Sequence, residues 1–135
     1  MSAVKLHLFK KTKILIIEDN SALRKVLTDN LSDEGYEVLG AEEGVRGYEM
    51  AIAEHPDLIL LDMMLPGMDG ISVLKSLRRD EWGATAKVIA CTNLMQGQAL
   101  SKEFDENHVA GYIEKVNLTL EGISQKIKEV LTKKQ

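Results

Sequence analysis

Five side chains that suit phosphoryl-transfer chemistry stand at or just beyond the ends of apolar segments. They are Glu18, Asp19, Asp62, Thr92 and Lys115. Two carboxylates about 4 Å apart repel by about 1 kcal/mol in water, so three together favour a bound cation. Mg²⁺ fits best, because it takes one or two carboxylates and keeps several waters for a phosphoryl oxygen. With a lysine and a hydroxyl to neutralise phosphoryl oxygens, a carboxylate can attack phosphorus in line.

The segments before these residues have the pattern of buried strands. Three continuous apolar runs stand at Ile14–Ile17, Leu58–Leu61 and Val88–Cys91, with a weaker one at Val109–Ile113 and an edge candidate at Tyr36–Ala41. Continuous apolar runs, as opposed to alternating ones, are typical of parallel strands covered on both faces.

Helical periodicity falls between these strands. It predicts helices around Leu23–Leu31, over Glu42–Glu54, around Ile71–Leu77, over Leu94–Asn107 and around Leu120–Leu131. Regular alternation of strands and helices predicts an α/β fold: a doubly wound, five-stranded parallel sheet with helices on both faces. Ligand sites in such sheets lie at the carboxyl ends of the strands. This rule brings the five chemical side chains to one edge.

Each of these residues has an ordinary interpretation when it is taken alone. A carboxylate at a strand end is more often solvated or part of a cap, and Asn20 or Ser21 could cap a helix without any functional meaning. Thr92 alone suits a strand, and Lys115 alone suits the surface. Cys91, inside an apolar run, is expected to be a small buried side chain. The interpretation therefore depends on the whole set.

Composition narrows the class of protein. The chain has 135 residues, a formal net charge of -4 and a single cysteine. An acidic chain of this length suits one domain and disfavours sequence-independent binding to nucleic acid. One cysteine forms no internal disulfide, which indicates a reducing compartment, most simply the cytoplasm. No apolar run approaches the roughly 20 residues that span a bilayer, so a membrane location is not expected.

From about Lys13 to Lys134 the sequence resembles the receiver domain of bacterial response regulators in two-component systems. The resemblance is carried by IIEDN at 16–20, DLILLDMMLPGMDG at 57–70, VIACT at 88–92 and GYIEK at 111–115. It implies a flavodoxin-like fold, with residues 13–135 as the receiver domain and residues 1–12 as an N-terminal extension.

The resemblance also implies a role for each acidic residue. Asp62 would be the phosphoacceptor. Asp19 and Asp62 would bind Mg²⁺ directly together with the backbone carbonyl of Met64, while Glu18 would hold a metal-bound water.

A switch is implied as well. Thr92 and Lys115 would contact phosphoryl oxygens, and Tyr112 would turn inward when Thr92 moves. The phosphoryl group would come from a phosphohistidine on a sensor histidine kinase or a histidine phosphotransfer protein. Such a domain promotes its own phosphorylation and dephosphorylation without being a conventional enzyme.

Two positions depart from the family pattern. Val116 follows Lys115 where proline is usual, and a cis bond before a non-proline residue costs about 2.5–4 kcal/mol. We therefore expect a trans peptide between Lys115 and Val116. Asn93 stands after Thr92 where alanine or glycine is common, and its side chain could change access to the phosphoryl site.

Because no output domain fits after Lys134, we expect a stand-alone module of the chemotaxis or phosphorelay type. It would signal by onward phosphotransfer or by contact with a downstream protein at the Leu94–Leu131 surface. The alternative is a degenerate receiver that acts as a phosphorylation-independent scaffold. A phosphatase with an aspartyl nucleophile is disfavoured, because it would need a second acid two residues after Asp62, where Met64 stands. A nucleotide binder of the same fold is disfavoured because Glu18 and Asp19 would repel phosphate.

Overall fold

A computed structural model describes residues 10–133, the side chains at positions 94 and 96 excepted. Its centre is a sheet of five parallel strands in the order β2-β1-β3-β4-β5. The strands are β1 (Lys13–Ile17), β2 (Glu37–Ala41), β3 (Leu58–Asp62), β4 (Val88–Thr92) and β5 (Gly111–Glu114). The predicted doubly wound, flavodoxin-like fold is confirmed. Strands β1, β3 and β4 coincide with the three continuous apolar runs, because each is covered on both faces.

Six helices connect and flank the strands within residues 10–133. They are α1 (Ser21–Asp33), α2 (Gly44–Glu54), α3 (Gly70–Arg79), α4 (Leu94–Ala99), α5 (Ser101–Glu106) and α6 (Leu120–Thr132), with short 3₁₀ turns at Gly83–Thr85 and Lys115–Asn117. Side-chain caps fix where three of them begin: Asn20 accepts from Leu23 N, Asp69 from Ser72 N and Thr119 from Gly122 N. Each cap satisfies a backbone donor that the first turn leaves without an intrahelical partner.

The sheet separates two apolar cores. On one face, side chains of β1, β3 and β4 pack against α2, α3 and Phe104 of α5. On the other face, the alternate side chains of the same strands pack against α1 and α6. The side chains of a strand alternate between its two faces, so each central strand contributes to both cores. This double anchoring fixes the carboxyl ends of the strands, where the chemical side chains lie.

One predicted helix is wrong in its extent. The expected single helix over Leu94–Asn107 divides into α4 and α5 at Leu100, whose φ of −101° and ψ of 5° end the helical path. Gly97 inside the six-residue α4 weakens it, because glycine loses more backbone entropy than other residues on forming a helix. The apolar stripe is nevertheless correct, since Phe104 is buried and Leu100 packs against the same core.

The remaining local predictions have mixed outcomes. No cis peptide occurs within residues 10–133, so the expected trans bond at Lys115-Val116 is confirmed. Strand β5 begins two residues later than predicted, after His108 adopts a left-handed φ of 54°. Most of the predicted extension, residues 1–12, lies outside the described residues, and its boundary stays a prediction. In the part that the structure describes, no helix has the length and apolarity to cross a bilayer.

Candidate functional site

The carboxyl ends of β1 and β3 bring three carboxylates together. Glu18 and Asp19 follow β1, Asp62 ends β3, and these two strands are direct neighbours in the sheet. One carboxylate oxygen from each of the three residues lies within 4.8 Å of the others. Glu18 and Asp62 are almost fully buried, whereas Asp19 is exposed. The predicted acidic cluster therefore forms at the predicted edge, with one wall open to solvent.

Lys115 is the cation of this cluster. Its Nζ lies 2.9 Å from Glu18 Oε1 and 3.0 Å from Asp62 Oδ2, so one ammonium bridges the two buried carboxylates. Lys115 begins the 3₁₀ turn after β5, and β5 pairs with β4 at the edge of the sheet. Its side chain therefore reaches past the end of β4 to Asp62, which ends β3, and to Glu18, which follows β1. A lysine that looked like a surface residue when taken alone is fixed here by two charge-assisted contacts.

Burial and pairing change the pKa values of two of these groups. Burial raises the pKa of Glu18, and the nearby Asp62 raises it further, against the lowering effect of Lys115 and of the Asn20 backbone. For Lys115 burial acts to lower the pKa, but the contacts with Glu18 and Asp62 outweigh it, and the pKa is raised. Lys115 therefore keeps its positive charge at neutral pH, which is the form that neutralises anions.

Backbone donors orient the two buried carboxylates. Asn20 N donates to Glu18 Oε2 at 3.0 Å, and Met64 N donates to Asp62 Oδ1 at 3.1 Å. Each carboxylate is thus held between a backbone amide on one oxygen and Lys115 on the other. The same hydrogen bond holds Met64, whose carbonyl is the predicted ligand, next to Asp62.

Thr92 ends β4 next to this cluster. It is fully buried, and within residues 10–133 its hydroxyl has no hydrogen-bond partner. A buried hydroxyl without a partner costs about 1–3 kcal/mol. A Cβ added to Gly97 of α4 would lie 3.4 Å from this hydroxyl and 3.8 Å from the ring of Tyr112. The glycine therefore leaves space between the two residues to which the family resemblance assigns the switch.

Tyr112 itself lies away from the acidic cluster. It sits on β5, opposite Ala90, and about half of its side chain is exposed. Its ring makes a tilted contact with Phe104, with the ring centroids 6.0 Å apart. The structure thus brings Glu18, Asp19, Asp62 and Lys115 together, places Thr92 at their edge, and leaves the ring of Tyr112 half-exposed against Phe104.

A contact that the sequence did not predict joins the two loops beside Asp62. Asn93 Nδ2 lies 3.8 Å from Met64 Sδ, a weak hydrogen bond to sulfur. Met64 is otherwise largely exposed. The contact connects the residue after β4 with the second residue after β3. The unusual residue at position 93 thus touches the loop that also orients Asp62.

A second contact that the sequence did not predict comes from α1. Arg24 Nη1 donates to the backbone carbonyl of Glu18 at 2.7 Å, and Arg24 Nη2 lies 3.8 Å from Glu42 Oε2. Arg24 therefore reaches back from the first turns of its helix to the end of β1. No local pattern signals this contact, because its partner is a backbone atom six residues earlier.

The single thiol lies in the same strand as Thr92. Cys91 is buried and pairs with Asp62 across β3 and β4. Burial raises its pKa to about 12, so the thiol stays protonated and has little nucleophilic character. The prediction that Cys91 is a packed, unreactive side chain is consistent with this position.

The donor set can accommodate a divalent cation. Three carboxylates face one lysine, so the site carries excess negative charge in its folded position. Hard oxygen donors with one exposed carboxylate suit Mg²⁺, which binds through few protein ligands and keeps its waters. The acidic cluster could therefore hold such an ion.

Known proteins resemble this chain in sequence. The family model of the response regulator receiver domain matches residues 14–128. The chain is 43% identical over 93 residues to the DNA-binding dual master transcriptional regulator RpaA of Synechocystis sp., covering 69% of this chain and 39% of that protein. It is 42% identical over 66 residues to sporulation initiation phosphotransferase F of Bacillus subtilis, covering 49% of this chain and 53% of that protein. The chain thus spans about half or less of each of these two relatives.

A solved structure gives the same result for the fold. The receiver domain of a sensor histidine kinase from Pseudomonas aeruginosa PAO1, which has a magnesium ion in its active-site cleft, superimposes with a TM-score of 0.81 at 24% identity. The match covers 92% of this chain and 100% of that one. With the sheet order, the acidic edge and the family match in agreement, this chain belongs to the response regulator receiver domain family.

Proposed function

We propose that Asp62 accepts a phosphoryl group from a phosphohistidine on a sensor histidine kinase or a histidine phosphotransfer protein. The observation that carries the proposal is the buried Asp62 carboxylate, bridged by Lys115 to Glu18 and grouped with Asp19. A buried carboxylate with one oxygen oriented by a backbone amide and the other beside an ammonium is held in place for attack on an incoming phosphorus. The family membership supports a role in two-component signalling.

The transfer step follows from these contacts. A carboxylate oxygen of Asp62 forms a bond to phosphorus while the phosphorus–nitrogen bond of phosphohistidine breaks, and its electron pair stays on the imidazole. Lys115 would shift part of its contact from Asp62 to a phosphoryl oxygen, and Thr92 would donate its hydroxyl to another. Asp19, Asp62 and the carbonyl of Met64 would hold Mg²⁺ directly, and Glu18 would hold a water bound to the ion. A bound Mg²⁺ would supply further positive charge against the phosphoryl oxygens.

The signal would leave the site through Thr92. Its hydroxyl lacks a hydrogen-bond partner in the part of the chain that the structure describes, so a phosphoryl oxygen would offer it one. Movement of Thr92 toward that oxygen frees space near Tyr112, and an inward ring changes the surface formed by α4, α5, β5 and α6. We propose this surface, within Leu94–Leu131, as the contact for a downstream protein. Onward phosphotransfer is the other route for the signal.

The direct test is acylphosphate formation with a small phosphodonor. The protein is incubated with acetyl phosphate and Mg²⁺, and its intact mass is measured. We expect wild type to gain one phosphoryl group, and Asp62→Asn to gain none, because an amide oxygen is a poor nucleophile. Asp57→Asn is the matched control: Asp57 stands just before the opposite end of β3, is exposed, and accepts from Lys13 N. It should be phosphorylated like wild type.

The competing scaffold function makes the opposite prediction. A degenerate receiver would show no mass change in wild type, yet would still bind its partner. Equal phosphorylation of wild type and Asp62→Asn would instead show that another residue is the acceptor and would refute the assignment to Asp62.

A further inference from the structure

Arg24 connects three parts of the molecule next to the acidic site. It lies in α1, and its guanidinium contacts the Glu18 carbonyl at 2.7 Å and Glu42, which follows β2, at 3.8 Å. The first contact is short and charge-assisted, whereas the second ends on an exposed carboxylate. The stronger contact is therefore the one to the turn that carries Glu18 and Asp19.

The surroundings leave room for this side chain. Gly40 of β2 lies under its stem: a Cβ added there would be 3.3 Å from Arg24 Cδ. Because this contact would be tight, a side chain at position 40 would force the arginine stem to shift by a few tenths of an ångström. The side chain of Arg24 is only 22% exposed, so it is held against the sheet edge and does not extend into solvent.

We infer that Arg24 is a positioning residue for the acidic site: its hydrogen bond to the Glu18 carbonyl fixes the turn from which Glu18 and Asp19 present their carboxylates. This inference rests on the proposed function, in which those carboxylates hold Mg²⁺. Mg²⁺ demands near-ideal octahedral geometry, so conformational freedom of this turn would lower the affinity of the site for Mg²⁺. Partners that orient ligands typically change metal affinity by about 10–100-fold when they are removed.

Removal of Arg24 should change the affinity for Mg²⁺ in opposite directions, depending on whether the residue positions the turn or acts only as a nearby charge. Arg24 is a cation near a cation site, so its charge alone opposes Mg²⁺, and removing it should tighten binding. If the arginine positions the turn, removing it should weaken binding, because Glu18 and Asp19 lose a fixed orientation. The direction of the change therefore distinguishes a positioning residue from a nearby charge.

The test is Mg²⁺ titration of the full chain by calorimetry, well below the unfolding temperature of each variant. We expect Arg24→Ala to weaken binding about tenfold or more. Arg24→Lys should recover only part of the affinity, because an ammonium keeps the charge without the planar fork of donors. Glu42→Gln is the matched control: it removes the longer, exposed contact and should leave the affinity unchanged.

A second variant keeps the inference testable if Arg24→Ala does not fold. Gly40→Val should crowd the arginine stem and shift it by at least a few tenths of an ångström, while it adds a β-branched residue to a strand, which favours strand structure. It should weaken Mg²⁺ binding without lowering the unfolding temperature. Unchanged or tighter binding in both Arg24→Ala and Gly40→Val would overturn the positioning role and leave the proposed function standing. Failure of wild type itself to bind Mg²⁺ would refute the metal site and, with it, the inference.

Discussion

At the scale of single residues, Lys115 has two opposing effects on the site. It neutralises the buried carboxylates of Glu18 and Asp62 in the absence of a metal, and it occupies oxygens close to the expected Mg²⁺ site. A dication and an ammonium at the same cluster would repel each other, so we expect the lysine to stabilise the fold and to weaken metal binding. In the proposed function it also contributes to phosphorylation, through contact with the phosphoryl oxygens.

Replacement of Lys115 by alanine should therefore separate metal binding from phosphorylation. We expect Mg²⁺ to bind about tenfold more tightly, equivalent to about 1.4 kcal/mol, because one repelling charge is gone. The free energy of unfolding without Mg²⁺ should fall by about 1–2 kcal/mol, less than for a fully buried pair because Lys115 is about one-third exposed. Calorimetry and denaturant unfolding measure these two quantities.

The same variant should be phosphorylated much more slowly by acetyl phosphate despite its tighter Mg²⁺ binding. Asp19→Ala is the companion variant, and it should lose both Mg²⁺ binding and phosphorylation. If Lys115→Ala were phosphorylated at the wild-type rate, the proposed contact with the phosphoryl oxygens would be wrong.

Much of the site could be predicted from residue types, but the contacts around it could not. Strand ends are visible in the sequence as apolar runs followed by polar residues, and parallel strands bring those ends together. The bridge from Lys115 to Glu18 and Asp62 depends on how the turn after β5 crosses to β1 and β3, which is a tertiary property. The contact of Arg24 could not be predicted for the same reason, since its partner is a backbone carbonyl, which every residue has.

At the scale of secondary-structure elements, α4 is the weakest part of the proposed switch. It has six residues, contains Gly97, and is followed directly by the break at Leu100. A short helix with a central glycine has little intrinsic stability. It can therefore change its position at small cost when Thr92 moves, which suits an element that must transmit a signal.

Gly97→Ala should stiffen this element and fill the space beside it. The new methyl group would contact the Thr92 hydroxyl and the Tyr112 ring at ordinary distances, 3.4 and 3.8 Å, so the fold should tolerate it. We expect phosphorylation of Asp62 to continue, while the inward movement of Tyr112 is restricted. Amide spectra with a beryllofluoride mimic measure the effect.

In wild type, the spectral shifts should spread from Asp62 through Thr92 to Tyr112 and α6, as a population shift between two states. In Gly97→Ala they should stop near Thr92. Gln98→Ala is the matched control, because it raises helix propensity in α4 at an exposed position without filling that space. A spread of shifts in Gly97→Ala identical to wild type would show that the space beside Gly97 is not used.

The secondary-structure elements also show where sequence patterns fail to predict the bounds of strands and helices. The strands with apolar residues on both faces were predicted closely, whereas β5 shifted by two residues and one predicted helix became two. β5 is an edge strand with partly buried residues, so its pattern is weaker. The break at Leu100 lies inside a periodic apolar stripe, and only the local backbone angles reveal it.

At the scale of the whole molecule, the sheet carries its chemistry at one end and its cores on both faces. The site is assembled from β1, β3, β4 and the turn after β5, with α1 fixing the turn after β1. A ligand that binds only this assembled edge must stabilise the entire sheet, because the separated strands no longer form the site. Mg²⁺ should therefore oppose opening of the central strands as well as fill a local site.

The buried position of Cys91 allows the effect of Mg²⁺ on opening of the sheet to be measured as a rate of thiol labelling. Its thiol is protonated and buried in β4, which pairs with β3 and β5, so a thiol reagent should react only after β4 has separated from its neighbours. If the opened form does not bind Mg²⁺, an ion concentration ten times the dissociation constant should slow labelling about elevenfold. Asp19→Ala should label at a rate independent of Mg²⁺. Cys91, which has no role in the proposed phosphoryl transfer, thus makes the opening of the sheet measurable in unmodified protein.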